Sequence, residues 1–463
     1  MGRNKIVILD NAGSAYLAGT KTAITVSSRN MIAEPDRDPI GLVKKDPKTQ
    51  KEIKYLGIVP WGENNTFPQD IIESCKYSPQ ATSALLFNIT VGYGDAISYG
   101  RWQYDDKGKK QFIELFDNKE INEFFESNDM QLYLLEQMTD LSWFYNIFPE
   151  IGLSPEKKIV DLHSKEAAFS RWEKMNPDTG LIEHHFYCGK WQKAPSSSEI
   201  DVTPVLNPYN PVRDLKVRMG VIPDPVTTKT VSTPKDFRFI IPTGFPTPGR
   251  SYYQKAYWLS VIESGWLDYA RKIPEFKNAL MDNQMTIKYH VELSSDYFQE
   301  IFKAEGITED EAKKTRIKKE YSDLDKFLSA TKNTGKSVIS FIRYSADGKE
   351  MRRMKITSIE NHFKGGEFID DSEEASNMIS YGFGVHQGII GSSPGKNKTI
   401  SGTEARELFI IKQALMKPFR DRILRPLYVI KQFNNWPADI HFTIPNMVLT
   451  TLDKGTGSEK VIS

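Results

Sequence analysis

Residues Gly388–Leu408 read GIIGSSPGKNKTISGTEAREL, a Gly-rich segment with a Gly-Lys pair just ahead of a helix-like run. That combination raises the chemistry of a phosphate cradle. A P-loop needs G-x-x-x-x-G-K-[ST]: backbone amides wrap the phosphates, the lysine reaches them, and the Ser/Thr hydroxyl holds Mg²⁺. Here three residues, not four, separate Gly391 from Gly395, and Asn397 follows Lys396 where the hydroxyl belongs. A second mimic, Thr334-Gly335-Lys336-Ser337, has the pair, but Ala330 stands where the first glycine is needed. Both segments read as Gly/Lys loops. His184, His185 and Cys188 in EHHFYCG are metal-ligand types. In a strand, however, successive side chains point to opposite faces, and no second cluster completes a four-ligand set. The other histidines are scattered, and no Ser/His/Asp or Cys/His arrangement stands out. No catalytic residue, metal or cofactor is assigned, and the chain reads as a non-enzyme; the alternative reading is a nucleotide-using or nucleic-acid-processing enzyme built around the Gly-Lys loops.

The whole chain sets broad bounds on these segments. Its 463 residues can bury a large core and form several domains. Lys+Arg number 61 against 60 Asp+Glu, so a surface that grips nucleic acid all over is excluded, though a local basic zone is not. No apolar run approaches the ~20 residues of a membrane span. The start, MGRNKIVILDNAG, has no signal-peptide pattern, and Ile6 stands where a myristoylation motif needs Ser/Thr. Only Cys75 and Cys188 are present, which fits a reducing compartment without a disulfide framework.

Periodicity then gives an order of elements. Residues 1–60 read as loosely ordered, with Asp36–Lys54 a polar arm or long loop. Ser78–Thr90 spaces Ala81, Ala84, Leu85 and Ile89 as a helix would. Residues 111–147 read as a helical region carrying Phe112, Leu115, Phe116, Leu132, Leu134, Leu135 and Met138. Strand-like runs and proline turns alternate over 147–245, closing an α+β domain near Gly249. Ser251–Gln284 reads as one helix of about nine turns, kinked by Pro274. A strand (MTIKYHVELS), a charged helix (Thr308–Leu328) and a hairpin turning at Asp347-Gly348 follow. Asp370–Tyr381 is an acidic helix stopped by Gly382 and Gly384. A Ser401–Glu404 capping box opens a long helix with Leu408, Ile411, Leu415, Phe419, Ile423 and Leu427 on one side, which Pro418 and Pro426 should bend or break.

Four stretches resemble tailed-bacteriophage portal proteins, the head-tail connector family: WGENNTFP with the later Tyr93-Gly94, FPTPGRSYYQKAYW, YGFGVHQGIIGSSPG and SGTEARELFIIKQALMKPFRDRILRPL. Their order, over about residues 55–453, also resembles the family's. The chain departs from it near His386-Gln387, where the family often has proline. The resemblance implies an α+β portal-like fold. Its parts would be an N-terminal arm and wing domain (1–250), a first stem helix (251–284), an inserted αβ clip (285–366), a second stem helix (367–385), a tunnel loop (386–402), and a long wing helix with a short tail or crown (403–463). It further implies a homo-oligomeric ring of twelve at one capsid vertex, assembled in the bacterial host cytoplasm. Double-stranded DNA would pass through the ring. Its partners would be the terminase large subunit, an adaptor or neck protein and the major capsid protein, with no membrane.

The charge pattern fits that expectation. Residues 366–385 carry Glu367, Asp370, Asp371, Glu373 and Glu374 and no cation, a formal −5; residues 386–431 carry nine cations against three acids, a formal +6. Several phosphate contacts together hold DNA hard. An acidic channel-lining stem (Glu367, Asp370, Asp371, Glu373, Glu374) with Lys396 and Lys398 on a loop freed by Gly391, Gly395 and Gly402 would instead let DNA slide. The aromatic face Tyr257, Trp258, Trp266 and Tyr269 is expected to be covered on assembly, and the lysines of 313–319 to face partners.

Overall fold

A computed structural model describes residues 6–8, 14–17, 22–25, 33–46, 51–225, 227–249, 252–284, 289–294, 296–329, 343–344, 347, 350–352, 354–358, 368–391 and 400–447. The chain forms two compact units, residues 1–270 with 373–463, and residues 271–372. Its class is α+β.

The larger unit is organised on the strand Asn146–Leu153, in which every residue is buried. Ile159–Lys165, Arg238–Ile240 and Thr243–Gly244 all pair with it antiparallel. Such a strand needs cover on both faces, and the helices supply it. Pro79–Tyr93 starts with Ser78 accepting the Ala81 N–H and Pro79 in the first turn. Met130–Phe144 starts with Asp129 accepting the Leu132 N–H. The helix Gly402–Phe433 is the longest element. Leu134, Met138 and Leu141 join Ile147, Ile151, Ile423, Leu427 and Ile430 in one apolar cluster. A second cluster gathers Trp61, Phe144, Phe148, Trp172, Trp258, Ile379 and Phe383. Two further antiparallel sheets flank this core: Ser170–Trp172, His184–Tyr187 and Asp201–Pro204, and His441–Thr443, Ser98–Tyr104 and Lys110–Glu114.

In the smaller unit Tyr289–Leu293 pairs antiparallel with Met354–Ser358, and Tyr297–Glu305 and Asp310–Ser329 are helices. Phe298 packs edge-on to Tyr321 at 5.7 Å, and Arg316 bridges Glu305 and Glu320 at 2.8 and 2.7 Å.

Several expectations need correction. Residues 1–60 hold strands, including a hairpin of Val43–Lys45 with Glu52–Lys54 inside the supposed polar arm. Phe112 lies in a strand, not a helix. Asp105 accepts N–H bonds from Lys107 and Lys109, and Gly108 takes φ 73°, so the intervening turn folds Lys110–Glu114 back on Ser98–Tyr104. Pro211–Arg218, inside the supposed strand-and-turn region, is a helix with proline at its first position. Ser251–Gln284 is not one helix: Gly265, at φ 82°, separates Ser260–Glu263 from Trp266–Gln284, which continues through Pro274. The helix Gly402–Phe433 likewise continues through Pro418 and Pro426, clamped by buried Met416, Ile423, Leu424 and Leu427. Of the residues read on one side of it, Ile423 and Leu427 are buried while Ile411 and Leu415 are exposed. The mimic around Thr334 lies outside the described residues.

Candidate nucleic-acid interface

The acidic helix runs from Ile369 to Gly382. Its spacing sets two faces. Ala375, Ser376, Ile379 and Ser380 are buried, and Asp370 and Glu374 are exposed at i and i+4. Asp371 and Glu373 are half-buried, and Glu367 lies outside the described residues. The helix end is fixed tightly. A Cβ on Gly382 would meet Val261 Cγ2 at 2.1 Å, so only glycine permits this approach. Phe383 stacks on Trp258 at 4.7 Å and its carbonyl accepts from Asn88, while Gly384 turns the chain at φ 62°. Trp258, expected to be covered only on assembly, is thus already in the core of its own chain, with its indole N–H donating to Ser142 O at 3.0 Å. Tyr257 and Tyr269 remain exposed.

The loop that follows has well-built ends. His386 accepts the Gly388 N–H, Gln387–Ile390 makes one helical turn, and Gly391 closes it at φ 132°. The chain returns at Ile400, whose Cγ2 lies so close to Gly388 that a Cβ there would meet it at 2.7 Å. Ser401 then accepts the Glu404 N–H at 3.1 Å and starts the long helix at Gly402. Exit and return are therefore neighbours, separated in sequence by Ser392 to Thr399. Gly395, Lys396 and Lys398 fall in that interval, outside the described residues.

The cations of the long helix are placed differently from the sequence expectation. Arg420 is buried and donates to the carbonyls of Gly92, Val91 and Ile444. Arg425 donates to Pro242 O and Pro208 O, and Lys431 to Ala438 O and Ile440 O. Lys412 reaches Gly384 O at 3.0 Å, and burial pushes its pKa down to about 8. Lys417 pairs with Asp421 at 2.8 Å. Much of the formal +6 stitches the fold together and does not form a basic surface.

Two of the stretches read as portal-like meet in space. Asn65, in the left-handed region at φ 59°, accepts the Trp61 N–H and the Arg171 Nε–H through its side chain. Arg171 is fully buried, donates further to the carbonyls of Asn65, Ala168 and Ser170, and lies near the rings of Trp61 and Trp191. Trp61 in turn stacks on Tyr253 at 4.4 Å. Trp61 and Tyr253 line a cleft of about 410 Å³, whose wall does not include Arg171. The sequence offered no sign of Arg171, which lies in neither stretch.

The EHHFYCG run alternates as a strand should. His184 and Phe186 face Tyr55, while His185 faces Phe148 and Trp172. His184 bonds Glu173 at 2.6 Å, and burial drives the His185 pKa down to about 3, so it is neutral. Cys188 is buried, and burial pushes the Cys75 thiol up to about 12. No cluster of three metal-ligating side chains occurs among the described residues, and no described helix is long and apolar enough to cross a membrane.

No family model and no curated protein matches the chain. Among solved structures, its fold is similar to a chain from the neck of an empty gene transfer agent (GTA) particle computed with C6 symmetry. That pair shares 12% identity over 82% of this chain and 84% of that one, with a TM-score of 0.51. It is also similar to a chain of the virion of a native gene transfer agent particle, at 11% identity, 82% and 84% coverage and a TM-score of 0.52. The likeness is one of fold.

Proposed function

We propose that the chain is the portal subunit of a phage-like particle, a structural ring component through which double-stranded DNA is packaged and ejected. The observation that carries this reading is the fold likeness to a particle-neck chain over 82% of the residues. The residue-level geometry supports it. An acidic helix ends at a rigid Gly382–Val385 corner, a Gly/Lys loop leaves and returns at neighbouring points, and the longest helix starts at a defined cap.

In this reading twelve copies close a ring. Residues 251–284 and 367–385 form the stem, 285–366 the clip that meets the terminase large subunit and adaptor or neck proteins, 386–402 the tunnel loop and 403–463 the wing helix with a short tail. The wing of 1–250 faces the major capsid protein. Asp370, Asp371, Glu373, Glu374 and Glu367 make the wall repel phosphate, and Lys396 and Lys398 touch it transiently and without sequence preference. The role is structural and not catalytic, at the portal vertex of the virion.

Mass photometry and negative-stain imaging of the purified chain test the class. A ring with a central hole is expected, and a monomer refutes it. Lys396→Ala/Lys398→Ala tests the loop. Rings should persist while packaged-genome length or retention changes, and normal packaging and retention in that variant refutes the assignment.

A further inference from the structure

The ribbon Ser98–Tyr104/Lys110–Glu114 leaves its sheet. His441–Thr443 pairs only with residues 98–100, so from Arg101 onward the two strands pair only with each other, with Arg101 tied to Asp439 at 2.6 Å. From Arg101 to Phe116 only Asp105, Phe112 and Leu115 are not exposed. An isolated two-stranded ribbon is marginal in water, and this one carries an aromatic face. The register places Trp102 opposite Phe112 and Tyr104 opposite Lys110. Trp102 packs edge-on to Phe112 at 5.2 Å, and Lys110 Nζ lies 4.2 Å above the Trp102 ring. Tyr104 is 71% exposed. Over residues 98–114 Arg101, Lys107, Lys109 and Lys110 stand against Asp105, Asp106 and Glu114, a formal +1, and Arg101 pairs with Asp439, so the cation on the aromatic face is Lys110.

A surface of opposite character lies on the helix Met130–Phe144 of the same unit. Asp129, Leu132, Leu135, Glu136 and Thr139 recur at steps of three and four, which puts them on one face. Leu132 and Leu135 are exposed. Burial raises the Glu136 pKa, and the nearby Asp129 carboxylate adds to this while His163 opposes it. Ribbon and stripe are both exposed, so neither covers the other within one chain.

We propose that the Trp102/Tyr104/Lys110 face of one copy seats on the Asp129–Thr139 stripe of the next copy. This rests on the ring reading above and names its contact. Two different patches of one chain make a heterologous interface, the kind that closes into a ring when its rotation permits. Aromatic rings cover the two leucines, and Lys110 meets Glu136 at the rim, where charge sets register and partner choice.

The test is charge exchange in the full chain, read by mass photometry, with thermal unfolding as the folding control. Lys110→Glu and Glu136→Lys should each raise the concentration for half-assembly about tenfold or more, and the two together should restore it to within about threefold. Independently, a chain carrying Tyr104→Cys and Leu132→Cys should oxidise into dimers and higher multiples that reduction dissolves, because native Cys75 and Cys188 are buried. Rings that tolerate both single reversals overturn the contact and leave the ring standing. So does a double variant no better than the singles, or a cysteine chain that stays monomeric. A wild-type chain that never assembles overturns both readings.

Discussion

Replacing Arg171 is the sharpest test of how the Trp61–Asn65 turn is held. In Arg171→Met a side chain of similar length replaces the guanidinium, so the main loss is polar. Four hydrogen bonds disappear, to the Asn65 side chain and to the carbonyls of Asn65, Ala168 and Ser170. Not every acceptor is orphaned. The Asn65 side chain keeps the Trp61 N–H, and Ala168 O keeps the Gln69 amide at 2.9 Å. The carbonyls of Asn65 and Ser170 bear the loss most directly. Hydrogen bonds to a charged group contribute about 1.5–3 kcal/mol each, and an unsatisfied buried acceptor costs about 1–3. Against this, methionine removes the desolvation penalty of a buried cation, which is several kcal/mol. That penalty is visible in the arginine pKa, which burial lowers to about 10.

The net destabilisation expected is therefore about 3 kcal/mol, well below the sum of the four bonds. Urea denaturation followed by tryptophan fluorescence reads it directly, because Trp61 and Trp191 flank the guanidinium. The unfolding midpoint should fall with an unchanged denaturant slope. Arg171→Lys should not rescue it, since an ammonium lacks the fork that reaches Asn65 and the two other carbonyls together. A methionine variant within about 0.5 kcal/mol of wild type, the range of an ordinary surface substitution, would refute the reasoning.

Two further substitutions probe the corner before the loop. Gly382→Ala drives a Cβ to 2.1 Å from Val261 Cγ2. Valine is stiff at χ1, so the overpacking should cost about 1–3 kcal/mol in a thermal melt, and Val261→Ala in the same chain should recover most of it. At Lys412, burial holds the folded-state pKa near 8, below the unfolded value. Between about pH 8 and the ordinary lysine value the unfolded chain binds more protons, so stability contributed by this group rises with pH. Lys412→Met should flatten that rise in urea midpoints measured from pH 7.5 to 10, and superimposable pH profiles would count against the assignment.

The elements most legible in the sequence were those with both a period and a stop. Pro79–Tyr93 has a Ser-Pro start and Gly94 at its end, and Ile369–Gly382 runs into glycines that the fold requires. Misreadings followed where a tertiary partner decides the local state. Phe112 and Leu115 have helical spacing, but the Asp105–Gly108 turn settles them as a hairpin, and that turn was the signal to heed. Tyr252 to Trp258 looked like a helix start. Instead Tyr253 stacks on Trp61 and bonds Val59 O, contacts made with residues about 190 positions away. No local pattern encodes that. Arg171 was invisible for the same reason, since its acceptors come from the turn near Asn65 and from its own strand approach.

The charge reading changes most once the side chains are placed, and it yields the last prediction. Sequence counting treated Arg420, Arg425, Lys431 and Lys412 as part of a basic segment, yet each donates to main-chain carbonyls of the fold. A guanidinium committed to three carbonyls and buried is not available to phosphate. Under the conduit reading, contact with DNA therefore falls to Lys396 and Lys398 rather than to these four helix cations. Two variants should separate these roles in opposite directions. Arg420→Met leaves carbonyls of Val91, Gly92 and Ile444 short of a donor, and should lower stability by about 2–4 kcal/mol and impair assembly in proportion. Lys396→Ala/Lys398→Ala should leave the melt unchanged and alter DNA retention, with the largest difference at low salt, where phosphate contacts are strongest. If Arg420→Met melts like wild type while changing DNA retention, its guanidinium faces the DNA and the division of labour argued here is wrong.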